Sequence, residues 1–211
     1  MSSVSELGGA VPGELALRRT RQVHSRGVLV VDATPVAGVC DAWAPADGGG
    51  LPEGDSLVSV GAGFCLAVLT ADCAPVALSS REGVLAAVHV GWRGLLDGVV
   101  EASIDAMRAL GSSEVYAGIG PCIHPCCYEF GDAELAPLVA RFGERAARKA
   151  PGGGQAFDLP YALRHAITTC GAKVVADSRR CTACSADYFS YRAGRDEARQ
   201  ALLVWSCEEQ Q

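Results

Sequence analysis

The chain has 211 residues, 49% hydrophobic and 20% charged, a composition that can bury a sizeable core and excludes a disordered polar chain. Lys and Arg number 18 against 24 Asp and Glu, giving a formal charge of -6 with no long basic run, so no nucleic-acid partner is expected. No uninterrupted apolar stretch reaches the roughly 18 residues of a membrane span, and the N-terminus lacks the pattern of a secretory signal, so a cytoplasmic protein with no membrane partner is expected.

In chain order, apolar runs predict strands at 28–31, 57–60, 64–69, 75–78, 84–89, 115–119, 174–176 and 201–205. Their clustering before residue 120 predicts a sheet-rich first half and a helix-rich second half. Leu95, Leu96, Val99, Val100, Ile104, Met107 and Leu110 recur mostly at three- and four-residue steps, which predicts one helix closed by Gly111. Further helices are predicted over 133–149 and over 159–170. The glycine runs at 48–50 and 152–154 read as surface loops, and neither has the Gly-Lys-Ser/Thr of a phosphate loop. Strands alternating with helices are the pattern of an α/β or α+β domain.

Three soft-metal donors stand where apolar runs end: His24 in Arg21-Gln22-Val23-His24, Cys73 in Ala71-Asp72-Cys73, and His89 before Val90-Gly91-Trp92-Arg93-Gly94. Two imidazoles and one thiolate fill three of zinc's four positions, the count of an open catalytic site rather than a closed structural one. Cys73 and His89 are separated by enough chain for two adjacent antiparallel strands to bring them to one sheet edge. Arg93 lies in a Gly-flanked turn from strand to helix, where free N–H groups favour an anion and a guanidinium can clamp phosphate or carboxylate.

The ten cysteines are too few for a disulfide scaffold in a chain this long, so reduced thiols are expected. Cys40, Cys65, Cys170 and Cys207 read as small buried hydrophobes. The turn Gly118-Ile119-Gly120-Pro121-Cys122-Ile123-His124-Pro125-Cys126-Cys127-Tyr128-Glu129 reads as a rigid pocket lining. An alternative pairs Cys122 and Cys126 with Cys181-Thr182-Ala183-Cys184 in a four-thiolate structural zinc site, although Cys122 and Cys126 stand one residue further apart than the usual Cys-x-x-Cys.

These segments, with Ala74-Pro75-Val76, Phe157-Asp158-Leu159 and Phe189-Ser190-Tyr191-Arg192, closely resemble the YfiH family, also called the laccase-domain or multicopper polyphenol oxidase family, from about Arg21 to Trp205. The resemblance implies an α/β fold: a single-domain four-layer α/β/β/α sandwich with mixed sheets, over residues 21–211, preceded by a short and partly disordered segment at 1–20. It implies zinc, or copper, on His24, Cys73 and His89. It also implies a purine nucleoside enzyme that phosphorolyses adenosine, inosine and methylthioadenosine and deaminates adenosine, working on nucleoside and phosphate as a monomer or weak homodimer.

On that reading Cys73, Asp72, Arg93 and His124 are the catalytic candidates, with Asp72 and His124 for proton transfer. Gln22, Arg93, Gly120, Cys122 and Arg192 are the substrate-binding candidates. Other assignments made within the family are a copper polyphenol oxidase and a peptidoglycan-editing hydrolase of muramyl precursors. A metal-binding domain without catalysis is a further alternative. Four-electron oxidase chemistry needs several coppers with many His ligands, and only four His occur, which argues against the oxidase. The chain departs from the family pattern in having no Asn, hence no Asn-Arg pair ahead of His24, in carrying His124 where Gly is usual, and in reading Glu197-Ala198-Arg199 for Thr-Gly-Arg.

Overall fold

The apolar runs pair into two mixed sheets in the computed structural model, which describes residues 15–31 and 50–206. The larger sheet has six strands in the order β10 (Lys173–Asp177), β7 (Tyr116–Ile119), β5 (Ala74–Ser79), β6 (Val84–Val90), β3 (Ser56–Val60) and β2 (Val28–Val31). Its centre is antiparallel, and its outermost pairs, β10 with β7 and β2 with β3, are parallel. The smaller sheet places β4 (Phe64–Thr70) between β1 (Ala16–Arg19), parallel to it, and β11 (Gln200–Trp205), antiparallel to it. A separate ribbon joins β8 (Ala147–Lys149) to β9 (Gln155–Phe157).

The two-residue side-chain period of a strand divides the core in two. Val58, Ala86 and Val88 face one hydrophobic cluster, while their neighbours Leu57 and Ala87 join Leu66 and Val68 of β4 in the other. The first cluster is closed by α1 (Trp92–Asp97), α2 (Val99–Ala109), α3 (Asp132–Phe142) and α4 (Leu159–Thr169), which bury Leu95, Ile104, Met107, Leu138, Leu163 and Ile167 completely. Full burial of each such side chain stabilises the fold by about 1.5–3 kcal/mol. The described residues thus supply the expected α/β fold of mixed sheets packed with helices. Among them no helix is long and apolar enough to cross a membrane.

All eight expected strands are present, with edges moved by a residue or two. The helices are cut shorter by glycine. Gly98, at φ 93°, ends α1 and starts α2, so the single helix expected through Leu110 is two. Gly143, at φ 82°, ends α3, and the remainder of the span expected to be helical to Lys149 is a short 3₁₀ turn followed by β8. Positive φ costs an L-residue what it does not cost glycine. Gly152 to Gly154 make the tip of the β8–β9 ribbon. β1 lies inside the 1–20 segment and is paired with β4 along its whole length. Cys65 is buried and Cys170 partly so, whereas Cys40, Cys207 and most of the 48–50 glycine run lie outside the described residues.

Three features bring one end of both sheets together. β4 belongs to the small sheet and β5 to the large one, so the turn Ala71-Asp72-Cys73 is the crossing between them. His89 lies in register with Pro75 across the β5–β6 pair, next to that crossing. Gly91, just past β6, lets the segment carrying His24 pack against the crossing, since a Cβ there would lie 2.6 Å from His24 Cδ2 and 3.0 Å from Cys73 Sγ. Gly91→Ala is therefore expected to keep the circular dichroism of the parent while driving two of the three donors apart. Competition with a chromophoric chelator should show zinc affinity lowered about 10- to 100-fold, the usual cost of disturbing the groups that orient ligands.

Candidate metal centre and its cavity

The ligand atoms of His24, Cys73 and His89 all lie within 4.8 Å of one another. His24 Nε2 is 3.6 Å from Cys73 Sγ, and a tetrahedral ion with Zn–N near 2.0–2.1 Å and Zn–S near 2.3 Å needs about 3.6 Å between such atoms. The two imidazoles stand edge to face with ring centres 4.9 Å apart. His89 is buried, Cys73 half-buried and His24 exposed, so the triad closes on the protein side and opens outward. This donor set and spacing fit a zinc-type ion with a free position.

The residue that builds this arrangement is Asp55, which sequence reasoning missed. Its carboxylate is fully buried at the start of β3 and accepts hydrogen bonds from the main-chain N–H of Val23 (3.2 Å), His24 (3.0 Å) and Ser25 (2.7 Å), from Ser25 Oγ (3.0 Å) and from His89 Nδ1 (2.7 Å). Engaging Nδ1 leaves Nε2 of His89 for the metal. The clamp also holds His24 at φ 60°, a conformation that a non-glycine residue keeps only when its surroundings impose it. A His ligand requires an acceptor on its second nitrogen, so a search for acids opposite His89 would have been the signal.

The electrostatics follow from this packing. Burial disfavours charge on Asp55, yet the His89 ring N–H and the Ser25 amide outweigh it and hold the carboxyl at about 2 instead of 3.8. Burial likewise opposes ionisation of Cys73, but the two imidazoles beside it bring the thiol down to about 6. His89 rises to about 9 against its own desolvation, because the Cys73 sulfur and Asp55 flank it. Both directions favour a negative sulfur on Cys73 beside His89, the charge that would hold a cation at this place.

A cavity of about 560 Å³ opens over the triad. Its wall carries the aromatic rings of Trp92, Tyr128 and Tyr191 and three cations, Arg93, Arg192 and Arg199. Arg93 is exposed, rests on the Trp92 ring at 4.3 Å and has no ion-pair partner among the described residues. Arg192 lies over Tyr128 at 4.9 Å and donates to the Glu129 carbonyl, and Arg199 donates to the carbonyls of Asp196 and Ala198. Arg199 was noted in the sequence only as part of a divergent motif.

Several expected roles change in the structure. Gln22 is on the cavity wall, but its amide donates to the Leu69 carbonyl and accepts from the Leu69 N–H, so it splices the His24 segment to β4 instead of offering those groups to a ligand. Asp72, at φ 93°, accepts from Thr182 Oγ1, Ser190 Oγ and Arg192 N, each at 2.7 Å. It positions the 182–192 segment and has little capacity left for a substrate proton. Cys122 is buried in the core, and Gly120 packs against Pro75, so neither lines the cavity. His124 faces a separate depression with Asp158, Arg164 and Arg179 and is not on the wall of the cavity over the triad.

Known proteins resemble this chain over most of its length. Residues 6–207 match the family model described as multi-copper polyphenol oxidoreductase laccase. A Streptomyces coelicolor protein named purine nucleoside phosphorylase is 38% identical over 187 residues, covering 87% of this chain and 72% of its own. A Corynebacterium glutamicum protein of the same name is 35% identical over 187 residues with the same coverage. Among solved structures, a Neisseria meningitidis protein superposes with a TM-score of 0.78 at 29% identity, over 95% of this chain and 78% of that one. YlmD from Geobacillus stearothermophilus gives 0.77 at 27% identity, over 96% and 78%. With that match over nearly its whole length, the chain belongs to the multi-copper polyphenol oxidoreductase laccase family, in which its relatives are the YfiH-type proteins named purine nucleoside phosphorylases.

Proposed function

We propose that the protein is a zinc-dependent purine nucleoside phosphorylase that also deaminates adenosine. The observation that carries this reading is the open His24–Cys73–His89 triad at the floor of a cavity walled by aromatic rings and three arginines. The rings suit the faces of a purine, and the arginines suit phosphate. A multicopper oxidase is disfavoured by the same geometry: the chain has four His, two are in the triad, and His124 and His165 lie elsewhere.

Zinc on these residues supplies a Lewis acid able to polarise water or a substrate heteroatom at its open position. The protein's own groups do the rest. Asp55 keeps His89 in the tautomer that presents Nε2, and Cys73 is held as the thiolate. Arg93, which rests on Trp92 and has no ion-pair partner among the described residues, binds phosphate oxygens together with Arg192 and Arg199. Phosphate so held attacks the anomeric carbon of the ribose, the glycosidic bond breaks, and its electron pair leaves with the purine. Trp92 and Tyr128 keep the base stacked while it departs.

Purified protein incubated with adenosine is expected to form adenine and ribose 1-phosphate only when phosphate is present, and inosine by deamination in either case. No turnover of adenosine or inosine, with hydrolysis of a muramyl-alanine amide instead, would overturn the reading. His24→Ala, Cys73→Ala and His89→Ala should each lose one equivalent of zinc by elemental analysis together with turnover. Arg93→Ala should raise the phosphate concentration for half-saturation about 10- to 100-fold, the loss of one charge-assisted contact of about 1.5–3 kcal/mol, and leave deamination nearly unchanged. Equal loss in both reactions would assign Arg93 to the nucleoside.

Asp55→Asn provides a test by pH. Because the folded carboxyl sits at about 2 instead of 3.8, its stabilisation is complete above the higher value and disappears as pH falls toward the lower one. The shift corresponds to roughly 2 kcal/mol. Chelator-treated parent should exceed the variant in denaturant stability by that order near neutrality, with the gap closing as pH falls toward 2; a gap independent of pH would place the Asp55 contribution elsewhere.

A further inference from the structure

A second cluster of thiols stands apart from the triad. The sulfurs of Cys126, Cys127, Cys181 and Cys184 all lie within 4.8 Å of one another. Cys126 and Cys127 each approach Cys184 at 3.4 Å, and Cys126 lies 3.7 Å from Cys181. A tetrahedron of thiolates with Zn–S near 2.3 Å has edges of about 3.8 Å, so these contacts outline the cage of one ion. A disulfide would use only two of the four sulfurs, leaving the other pair crowded with no counterion.

The two loops that bring the sulfurs together are joined before any metal enters. Cys122 and Cys181 form a parallel bridge, with Cys122 N–H on the Arg180 carbonyl and Thr182 N–H on the Cys122 carbonyl. Tight turns follow on both strands of that bridge: Cys127 N–H bonds the His124 carbonyl, and Cys184 N–H bonds the Cys181 carbonyl. The His124 N–H donates to Cys181 Sγ at 3.4 Å, the main-chain support that a charged sulfur requires. The bridge explains why Cys122, in the four-thiolate alternative read from the sequence, gives way to Cys127: Cys122 turns into the core and its neighbour in that set of four sulfurs is Cys127.

We infer that Cys126, Cys127, Cys181 and Cys184 form a second, structural zinc site, closed by four thiolates and independent of the triad. Soft thiolates select zinc over calcium or magnesium, and a full set of protein ligands leaves no position for catalysis. Its task is mechanical. One loop leads directly into Tyr128, on the cavity wall, and the other carries Thr182, which bonds Asp72 beside the triad. The ion ties the two together at their solvent-facing side, where Cys126 and Cys184 are exposed.

The test is metal stoichiometry in the whole protein, purified with reductant and without chelator. The parent should carry about two zinc per chain, Cys184→Ser and Cys126→Ser about one, and His24→Ala about one, retained on the thiolates. Equal zinc in the parent and both cysteine variants, or iron in place of zinc, overturns the proposal. Because a cysteine variant can fail to fold, the parent is also alkylated under native conditions and mapped by mass spectrometry. The peptides holding these four cysteines should stay unmodified until a strong chelator is added. Alkylation at full rate with zinc present, or a disulfide among them in the reductant-treated protein, overturns it as well. Failure of the triad to bind zinc would show instead as loss of the equivalent that His24→Ala removes, so the two sites fail separately.

Discussion

The active end of the molecule depends on one buried carboxylate. Removing a carboxylate from water costs several kcal/mol, and Asp55 recovers this only because five donors converge on it, each charge-assisted bond contributing about 1.5–3 kcal/mol. Three of the donors are consecutive main-chain amides, which a chain can direct at one acceptor only by bending as residues 23–25 do. The carboxylate therefore sets backbone shape as well as charge. It fixes the loop carrying His24 and the ring of His89 with a single group, so two of the three candidate ligands share an origin. Asp72 repeats the device on the other side of Cys73, at another strained φ, by holding the 182–192 segment. Two buried acids thus brace the two loops that a ligand must touch.

The location of the site follows from topology. β4 ends in the small sheet and β5 begins in the large one, so the Cys73 turn must cross from layer to layer. Beside this crossing, Gln22 pairs the N–H and carbonyl of Leu69 near the end of β4, and Asp72 accepts from the Arg192 N–H. The rigid core on either side, where β3, β6 and β4 are buried on both faces, leaves the crossing little freedom to relax. Ligand spacing close to that of a bound ion can therefore be held without the ion. Close packing of His24 against Gly91 is part of the same frame.

Legibility from sequence divided along a physical line. Strands whose residues are buried on both faces, such as 84–89, announce themselves as unbroken apolar runs, and all eight were read correctly. Of the three candidate metal donors, Cys73 follows such a run and His89 lies near the end of one, whereas the residues before His24, Arg21-Gln22-Val23, do not form one. What escaped is whatever is decided by partners far along the chain. Gly-Asp-Ser before β3 reads as a turn, and nothing local shows that Asp55 faces His89 across a strand pair. Gln22 has the composition of a substrate contact and is spent on Leu69. The helix break at Gly98 was hidden by an apolar period that continues through it, since burial of Leu95 and Ile104 does not require one unbroken helix. β1 escaped because its arginines mask an edge strand whose pairing is entirely with β4.

Cysteine shows how far burial and neighbours, more than residue type, determine chemistry. Cys65 and Cys122 are walled in by apolar side chains, and burial pushes both thiols up, so they remain inert packing atoms. Cys73 is half-buried, and although burial opposes its ionisation too, its thiol falls to about 6 because two imidazoles face its sulfur. Desolvation acts on both kinds alike; the difference is a charge partner placed by the fold. Three cations follow the same rule: Arg93, Arg192 and Arg199 are gathered on the wall of the cavity over the triad. Anion affinity at the site is therefore set by these local groups, with solvent screening most of the distant surface charge.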